Sequence, residues 1–549
     1  MDYYNRKNKS SIWLPLWIAL GIAAGIVIGN LFAGYNSRKS FFDRNNKLEA
    51  ILEYINESYV DSVNLQQLLE TSIPDIVEGL DPHSVYISAN DMEIVGDELE
   101  GHFGGIGVQF TLRQDTIVVV SIVPGGPSSA AGILAGDRIV YVNDSLYSRP
   151  GITNDMVLRT LRGKSGTGVK LGIKRYAGDS IVNIRVTRGD IPVSTVDVSY
   201  VVKEGIGYIK VSKFGSTTHS EFINALSGLK SKNCRSYIID LRQNTGGYLG
   251  AAVQMVNEFF EKGQMIVYTE GRAFPRQENL ASGTGICKND QVIVLIDEGS
   301  ASASEIFAGA IQDADRGLVL GRRSFGKGLV QGQRKFKDGS ALRLTVARYH
   351  TPSGRCIQKA YETGKSDDYN QDLMRRYLRG EFDSQDSIKL ENFPLFHTQS
   401  GRPVYGNDGI MPDIFVPRDT TGVNSYFTKL SGSGIIYEYA FNYTDQHREK
   451  LNSFGDWQQL SDYLKRQNLL WNLVSYADNQ GVRQRPYLIM ESSNLLQTQL
   501  LAYIIRNISG DEGYYQTLLA DDVVIKKAID LLDAKKALPN SVAASSYKD

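Results

Sequence analysis

The pattern of apolar and polar positions changes several times along the 549-residue chain, and each change predicts a different kind of structure. Residues 13–32 carry no charge and, as a helix, could cross a hydrocarbon core of about 30 Å. Residues 37–100 repeat their apolar side chains at helical spacing and predict a helical segment. Residues 101–190 contain short apolar runs between glycine turns, which predict a small β-rich domain.

The clearest strand-to-helix pattern lies in the middle of the chain. Residues 291–297 form a continuous apolar run rich in β-branched side chains, which predicts a strand buried on both faces. Residues 298–303 are small and polar and predict a tight turn. Residues 304–312 then place their apolar side chains on one stripe of a helix. This order of strand, turn and helix indicates an α/β core.

The C-terminal part of the chain has a different character. Residues 365–400 are polar and charged, and they predict a mobile insertion or a surface helical excursion. Leucines at helical spacing after residue 420 predict a helical bundle. The predicted division is therefore a tail and anchor at 1–36, a helical segment at 37–100, a β domain at 101–190, an α/β core at 191–419 and a helical domain at 420–549.

Composition excludes several classes of function. A formal net charge of −1 gives no electrostatic basis for nucleic-acid binding. The three cysteines, Cys234, Cys287 and Cys356, are far apart and form neither a disulfide framework nor a zinc-binding pattern. The sequence therefore implies no metal and no organic cofactor.

Ser302 is a candidate nucleophile, because the turn before a helix offers unpaired N–H groups that favour negative charge. The same residues also fit a capping box, in which Ser302 and Glu305 satisfy the first N–H groups of the helix. Capping serines greatly outnumber nucleophiles, so this serine alone does not decide between the two roles.

Lys327 is a candidate general base, with a glycine on either side that permits close enclosure. To be neutral near pH 7, its amine needs a pKa about three units below the ordinary value, equivalent to about 4 kcal/mol. A solvated loop lysine would have the same local sequence.

Taken together, these residues resemble the C-terminal processing peptidases, also called tail-specific proteases. The resemblance rests on Ser-Ala-Ser302-Ala-Ser-Glu, on Phe-Gly-Lys327-Gly 25 positions later, and on Gln331 four positions beyond the lysine. It spans roughly residues 45–417. It implies that Ser302 is the nucleophile, that Lys327 is the general base and that Gln331 orients the lysine.

The same resemblance identifies residues 101–190 as a PDZ domain. In such a domain a glycine loop presents N–H groups to the terminal carboxylate of a peptide, which adds as a strand to the sheet edge. The residues implied here are Gly105, Ile106, Gly107 and Val108.

The resemblance also implies an oxyanion hole. In the family, the turn at 241–248 supplies one backbone N–H, and the residue after the nucleophile supplies the other. These donors correspond to Gly246 or Gly247, with Gly247 favoured, and to Ala303. Thr245 stands where many relatives have proline or serine.

The expected fold is an α/β multidomain protein with an N-terminal membrane helix, a helical segment, a PDZ domain before a protease core of the ClpP/crotonase type, and a C-terminal helical domain. The expected function is that of a serine endopeptidase, anchored by residues 13–32 in the cytoplasmic membrane with its catalytic part in the periplasm. Its partners would be proteins with accessible C-termini. The C-terminal helices suggest assembly of subunits or binding of a regulator.

Two alternatives stay open from the sequence. A catalytically inactive PDZ adaptor that binds protein C-termini at the membrane would need the same Gly105–Val108 loop. A peptidase could instead use His350 as the base, because triad members are often distant along the chain.

Overall fold

The computed structural model of the protein describes residues 47–89, 91–92, 101–113, 115–123, 125–175, 180–362, 369 and 371–536, together with Gly21 and Gly25. The predicted membrane anchor at 13–32 lies outside the described residues, apart from these two glycines. Among the helices that the structure describes, none has both the length and the apolar character needed to span a membrane. The chain divides after Ile76 into two compact units.

The first unit contains the helices predicted for the segment 37–100. Helix α1 covers Lys47–Ser58, and helix α2 begins at Leu65 and ends at Glu78. Both have an apolar stripe, because their leucines and isoleucines recur every three or four residues.

The second unit begins at Val77, in the last turn of α2, and continues with β1 (Val85–Ile87) and a β domain. The strand β1 corrects the prediction that the whole segment 37–100 is helical, because Val85–Ile87 pairs with a strand that is distant along the chain. The main sheet of the β domain has the order β3-β4-β5-β7-β8, with β6 paired to β5 and a separate β2–β9 pair. The elements are β2 (His102–Gly105), β3 (Val108–Arg113), β4 (Thr116–Ile122), α3 (Pro127–Ala130), β5 (Arg138–Val142), β6 (Ser145–Leu146), α4 (Asn154–Leu161), β7 (Gly168–Lys174), β8 (Ile181–Thr187) and β9 (Gly189–Pro192). These elements form the small β-rich domain that the sequence predicts. β3 forms one edge of the sheet.

The α/β core contains two larger sheets and a separate β19–β20 pair. Its elements are β10 (Val196–Lys203), β11 (Ile206–Val211), α5 (Thr218–Ser231), β12 (Ser236–Asp240), α6 (Leu249–Asn257), β13 (Met265–Glu270), β14 (Gln277–Leu280), β15 (Gln291–Ile296), α7 (Ala303–Asp313), β16 (Leu318–Gly321), β17 (Leu329–Lys335), β18 (Ala341–His350), α8 (Asp372–Leu378), 3-10 turns at Gln385–Ser387 and Leu390–Asn392, β19 (Leu395–His397), β20 (Pro403–Tyr405) and β21 (Ile414–Phe415).

The first of these sheets has the order β10-β11-β12-β15-β16-β21, and every pair except β10–β11 is parallel. Helices α5, α6 and α7 cover one face, where Val294 packs in a cluster with Phe222 and Phe307. Ile293 and Leu295 point to the opposite face and are also fully buried. Because both faces are covered, the central strands are continuous apolar runs, and the strand predicted at 291–297 is confirmed.

The second sheet is antiparallel and stands beside the first. Its order is β1-β18-β13-β14, and β17 pairs with β18. β17 follows directly after the segment that carries Lys327, so this sheet positions the lysine.

The stretch predicted as a mobile insertion is anchored to that lysine segment. Arg376 of α8 is fully buried, and its guanidinium donates to the carbonyl oxygens of Ser324 at 2.8 Å and Arg323 at 2.7 Å. The sequence prediction missed this anchor because a single arginine in a polar stretch resembles a solvent-exposed residue.

After residue 420 the described chain is helical. The helices are α9 (Ser425–Gly432), α10 (Ile435–Leu451), α11 (Trp457–Lys465), α12 (Leu469–Asn479), α13 (Pro486–Glu491), α14 (Ser493–Ser509), α15 (Asp511–Leu518) and α16 (Val523–Asp533). Helices α9 to α14 share one apolar core. Helix α16 packs elsewhere: Val524, Ile525, Ala528 and Leu532 lie against the face of the parallel sheet that α5, α6 and α7 leave open.

The β domain also contacts the C-terminal helices through α10. Arg113 pairs with Glu438 at 2.6 Å, and Arg138 pairs with Asp445 at 3.0 Å. At Gly136 the backbone lies so close to α10 that an added Cβ would meet Asp445 Oδ1 at 2.6 Å.

Candidate active site

The site forms where two parallel strands of the core end side by side. β12 and β15 are paired in parallel, so the turns that follow them meet at the same sheet edge. Hydrogen bonds join the two turns: Ala301 N–H donates to the Asn244 carbonyl oxygen at 3.0 Å, and the Ser304 hydroxyl donates to the same oxygen at 2.8 Å. The glycine turn at 241–248 is therefore held against Ser302.

Ser302 occupies a sharp turn at the start of α7. Its φ of 57° and ψ of −114° lie outside the regions that non-glycine residues normally adopt. Its backbone N–H donates to the Glu305 carboxylate at 2.7 Å, so Glu305 supplies half of the capping arrangement that the sequence predicts. A strained serine between a buried strand and a helix N-terminus has the backbone setting of an activated nucleophile.

Glu305 links this turn to the lysine segment. Its carboxylate is buried and accepts hydrogen bonds from the Ser324 hydroxyl at 2.5 Å and from the N–H groups of Gly326 at 2.7 Å and Lys327 at 2.9 Å, as well as from Ser302. Burial raises the pKa of Glu305, and these donors oppose the rise by stabilising the carboxylate. One buried side chain thus fixes two backbone segments relative to each other.

Lys327 is enclosed as its flanking glycines predict. A Cβ at Gly328 would lie 2.6 Å from the backbone nitrogen of Gln358, and Gly326 has a φ of +91°. Burial lowers the pKa of the Lys327 amine, and the positive charge of Arg343 lowers it further, while Glu305 and Asp81 act in the opposite direction. The solvated loop lysine that the sequence also allowed does not describe this residue.

Ser302 and Lys327 face the same cleft, which has a volume of about 810 Å³. The Tyr349 hydroxyl lies between them: it donates to the Lys327 carbonyl oxygen and interacts with the Ser302 side chain. The other lining residues are Met92, Thr245, Gly246, Gly247, Tyr248, Leu249, Gly250, Ile306, Leu329, Val330, Gln331, Gln333, Lys335 and Arg343.

Gly246 and Gly247 differ in what their N–H groups do. The Gly246 N–H donates to the Asn244 side chain at 2.8 Å. The N–H groups of Gly247 and Ala303 have no partner among the described residues. Glycine is required at both turn positions, because an added Cβ would lie 2.7 Å from Ser302 Cβ at Gly246 and 2.0 Å from the Phe214 carbonyl oxygen at Gly247.

Gln331 lines the cleft, but its side-chain amide is hydrogen-bonded to a residue other than Lys327. Its amide nitrogen donates to the carbonyl oxygen of His83, which lies in the Asp81–Ser84 turn. His83 lies close enough to Lys327 for the lysine charge to lower its pKa; together with burial, which is the larger effect, this brings the pKa to about 4. Gln331 therefore holds the Asp81–Ser84 turn close to Lys327, and the His83 ring on that turn is neutral near pH 7.

The predicted peptide-binding loop lies between β2 and β3. Gly105 ends β2, where it pairs with Gly189, and Val108 begins β3. Gly107 has a φ of +74°. The N–H groups of Ile106 and Gly107 have no partner among the described residues, so both are available to an anion.

His350 is absent from the lining of the cleft. Its ring stacks on Tyr268 at a centroid separation of 4.7 Å, and its Nδ1 lies 3.1 Å from the Gly354 carbonyl oxygen. These contacts belong to the β18 turn, as the sequence pattern around His350 indicates.

Comparison with known proteins adds an independent observation. Models of three families match the chain: peptidase family S41 at residues 205–370, the PDZ domain at 104–187, and a family of unknown function at 426–510. The carboxy-terminal-processing protease of Bartonella bacilliformis is 36% identical over 328 residues, which cover 59% of this chain and 74% of that protein. The chain belongs to the carboxy-terminal-processing proteases of family S41. It is a serine-type C-terminal processing peptidase with a PDZ domain before the protease domain and a helical region after it.

Other members of the family give similar matches. A probable CtpA-like serine protease of Staphylococcus haemolyticus is 36% identical over 314 residues, covering 57% of this chain and 62% of that protein. Among solved structures, the photosystem II D1 C-terminal processing protease is 24% identical, and the alignment covers 68% of this chain and 93% of that one with a TM-score of 0.34.

For this peptidase, the sequence analysis missed three residues at the site. Glu305 was interpreted only as a helix cap, His83 was given no role, and Arg343 was not considered. The sequence Asp-Pro-His-Ser at 81–84 is typical of a turn, but the composition of a turn does not indicate which distant segment it contacts. Nothing local to Arg343 distinguishes it from any other charged residue on a strand.

Proposed function

We propose that Ser302 is the nucleophile of this peptidase and that Lys327 is its general base. The observation that carries the proposal is the shared cleft: a strained serine at a helix N-terminus and a half-buried lysine with a lowered pKa face the same cavity. Lowering the pKa of the lysine favours its neutral amine, which is the form that accepts a proton.

The reaction then has two stages. In the first, Ser302 Oγ attacks the carbonyl carbon of the scissile bond while its proton passes to Lys327 Nζ. Collapse of the tetrahedral intermediate breaks the C–N bond, and the lysine gives its proton to the leaving amine. In the second stage Lys327 takes a proton from water as the water oxygen attacks the Ser302 ester. The second tetrahedral intermediate then breaks its bond to Ser302 Oγ, which takes the proton back from Lys327, and the new C-terminal carboxylate is released.

The negative oxygen of the intermediate would be stabilised by the N–H groups of Gly247 and Ala303. The availability of both groups favours Gly247 over Gly246, whose N–H is occupied by Asn244. The position of Ala303 at the first turn of α7 adds the favourable helix dipole.

The PDZ domain would hold the free end of the substrate. The unpaired N–H groups of Ile106 and Gly107 suit a terminal carboxylate, and edge strand β3 suits an extended tail. Bound in this way, an unstructured tail places upstream peptide bonds within reach of Ser302.

The anchor and the location form a further part of the proposal. The uncharged sequence at 13–32 supports a single membrane helix with the peptidase on the extracytoplasmic side. If this is correct, full-length protein will sediment with membranes, and protease added outside the cytoplasmic membrane will digest residues 37–549. Digestion from the cytoplasmic side would contradict it.

The dyad is tested with purified full-length protein in detergent and an unfolded protein substrate. We expect Ser302→Ala and Lys327→Ala each to lower cleavage by at least about 10³-fold. Thermal melts should stay within a few degrees of the parent protein. Lys337→Ala, which changes an exposed lysine on the loop before β18, is the matched control and should cleave normally.

A fluorophosphonate probe separates this peptidase from an inactive adaptor. The parent protein should form one covalent adduct, located at Ser302 by peptide mass analysis, and Ser302→Ala should form none. An unmodified parent protein, or undiminished cleavage by either dyad variant, would overturn the proposed mechanism.

A further inference from the structure

The active-site cleft carries three positive side chains, Lys327, Lys335 and Arg343, and its described lining includes no Asp or Glu. Lys327 is accounted for by the proposed chemistry. Arg343 contributes its charge, which lowers the pKa of Lys327, but neither Lys335 nor Arg343 exchanges a proton in the proposed reaction, and both lie in the same cavity. A cleft wall that has positive side chains and no carboxylate among its described residues favours a peptide that carries a negative group.

Arg343 is half-buried and differs in its contacts from several arginines of the protease domain. Arg242, Arg322 and Arg402 each contact a carboxylate, at 2.6, 2.7 and 2.5 Å respectively. In contrast, Arg343 has no ion pair among the described residues, and its Nε and Nη2 donate to the amide oxygen of Gln333 at 3.3 and 3.0 Å. Nη1 has no hydrogen-bond partner among the residues that the structure describes, so the guanidinium can still receive an acidic group from a substrate.

The strand register places these groups in one row. Gln333 of β17 lies directly opposite Arg343 of β18, and Lys335 opposes Ala341. Gln331, Gln333 and Lys335 alternate along β17 and so share one face, the face that lines the cleft. At a rise of about 3.4 Å per residue, the row extends on the order of 13 Å from Gln331 to Lys335.

We propose that Arg343 and Lys335 form a subsite for a carboxylate of the substrate, a few residues from the scissile bond, with Gln333 orienting the guanidinium. The proposal rests on the proposed function, because the row is defined relative to Ser302 and Lys327. Two sources could supply the carboxylate: the side chain of an Asp or Glu, or the free end of a short peptide. Both would be recognised by the same charge-assisted hydrogen bonds.

The test uses four peptides that share one cleavable sequence. Two carry Glu at a chosen position and two carry Gln there, and each pair is made with a free and with an amidated end. We expect kcat/KM to be about 10-fold higher for the peptides that carry the recognised carboxylate. A preference that follows Glu assigns the side chain, and a preference that follows the free end assigns the terminus. Equal rates for all four peptides, at every position scanned, would overturn the subsite.

Variants connect the preference to these residues. Arg343→Gln and Lys335→Gln should each reduce the carboxylate preference to about twofold. Arg334→Gln is the matched control: Arg334 lies between Gln333 and Lys335 but points to the opposite face of β17, so the preference should persist. Arg343→Glu should reverse the preference, favouring a peptide with Lys in place of Glu. A merely structural role for Arg343 would not produce this reversal, and its absence counts against the subsite.

Binding measurements separate failure of the subsite from failure of the dyad. In Ser302→Ala protein the four peptides, labelled for fluorescence anisotropy, should keep the same order of affinity. If the dyad assignment is wrong but the subsite is correct, this order persists while Ser302→Ala retains cleavage. If the subsite is wrong, the order is lost while the effect of Ser302→Ala on cleavage is unchanged.

Discussion

Ser302 and Lys327 donate their backbone N–H groups to the same carboxylate oxygen of Glu305, at 2.7 and 2.9 Å. The other oxygen of that carboxylate accepts from Ser324 and Gly326. The proposed nucleophile and base therefore do not depend on a direct contact for their alignment. Both backbones are hydrogen-bonded to the buried carboxylate of Glu305, so a displacement of this carboxylate would displace both residues.

Replacing Glu305 by Gln should impair alignment more than it impairs folding. The amide puts an NH₂ group where one pair of donors now meets an oxygen, which leaves buried donors unsatisfied. We expect a loss of about 2–3 kcal/mol in the free energy of unfolding and a drop of at least about 10²-fold in kcat. Urea denaturation and cleavage assays measure the two effects. Glu278→Gln, on an exposed strand, is the control.

Cleavage should rise with pH as Lys327 loses its proton. Arg343 is the main positive neighbour that lowers the pKa of Lys327, whereas Glu305 and Asp81 raise it; His83, which also lies near, stays neutral above its own pKa of about 4. Removing the positive charge in Arg343→Gln raises the pKa of Lys327. The acid limb of the kcat profile, measured with an uncharged peptide, should therefore move to higher pH. An unmoved limb, or an equal movement in Arg334→Gln, contradicts this assignment.

Gly246 should not tolerate even a methyl group. Its φ is +99°, and the new Cβ would approach Ser302 Cβ and the Ala301 carbonyl oxygen to 2.7 Å. We expect Gly246→Ala to reduce kcat by about 10²-fold or more, because it displaces the nucleophile turn and the Ala303 N–H together. In contrast, Gly228→Ala lies in helix α5 with open space around it and should raise the free energy of unfolding by about 0.5–1 kcal/mol.

The contact between the PDZ domain and α10 can be tested with two glycines of similar backbone conformation. Gly136 has a φ of +92° and lies against Asp445, whereas Gly132 has a φ of +78° with nothing within 4 Å. Alanine at either position should cost about 1–3 kcal/mol of stability through backbone strain. Faster amide exchange in α10 should follow from Gly136→Ala and not from Gly132→Ala. Equal protection in the two variants would exclude a stable interface.

His83 should make the protein less stable in acid. Its pKa of about 4 is below the ordinary 6.5, so the unfolded chain binds a proton between these values that the folded protein excludes. The free energy of unfolding is unaffected by His83 above pH 6.5. It falls as the pH drops from 6.5 towards 4, by about 3 kcal/mol in total. His83→Gln should remove this part of the pH dependence in urea titrations. His397→Gln, on the surface, should leave it in place.

Much of the fold followed from local patterns because the physics that decides it is local. A strand covered on both faces is a continuous apolar run, as β15 is after Gln291. A helix with one buried stripe repeats its apolar residues every three or four positions, as α4 does. Helix α7 differs from the predicted single stripe, because it is buried along its whole length. The glycines beside Lys327 predicted enclosure for the same reason, since the absence of a side chain is visible in the sequence.

The contacts between distant segments could not be predicted in this way. Gln331 meets the carbonyl of His83 across 248 positions, and Arg113 meets Glu438 across a greater separation. Glu305 matched a capping box over four residues, yet three of its four donors come from the segment 324–327. The sequence does not show whether a polar residue is exposed or belongs to a buried network, because its burial depends on contacts with distant segments.

The position of α16 has a consequence for the ribosome-bound chain. Its apolar residues cover a sheet whose strands are made more than two hundred residues earlier, at β11 and β12. During synthesis the apolar side chains on that face of the sheet stay exposed until α16 has been made. The parallel sheet from which the turns of Gly247 and Ser302 emerge is therefore covered on both faces only after residues 523–533 have been synthesised.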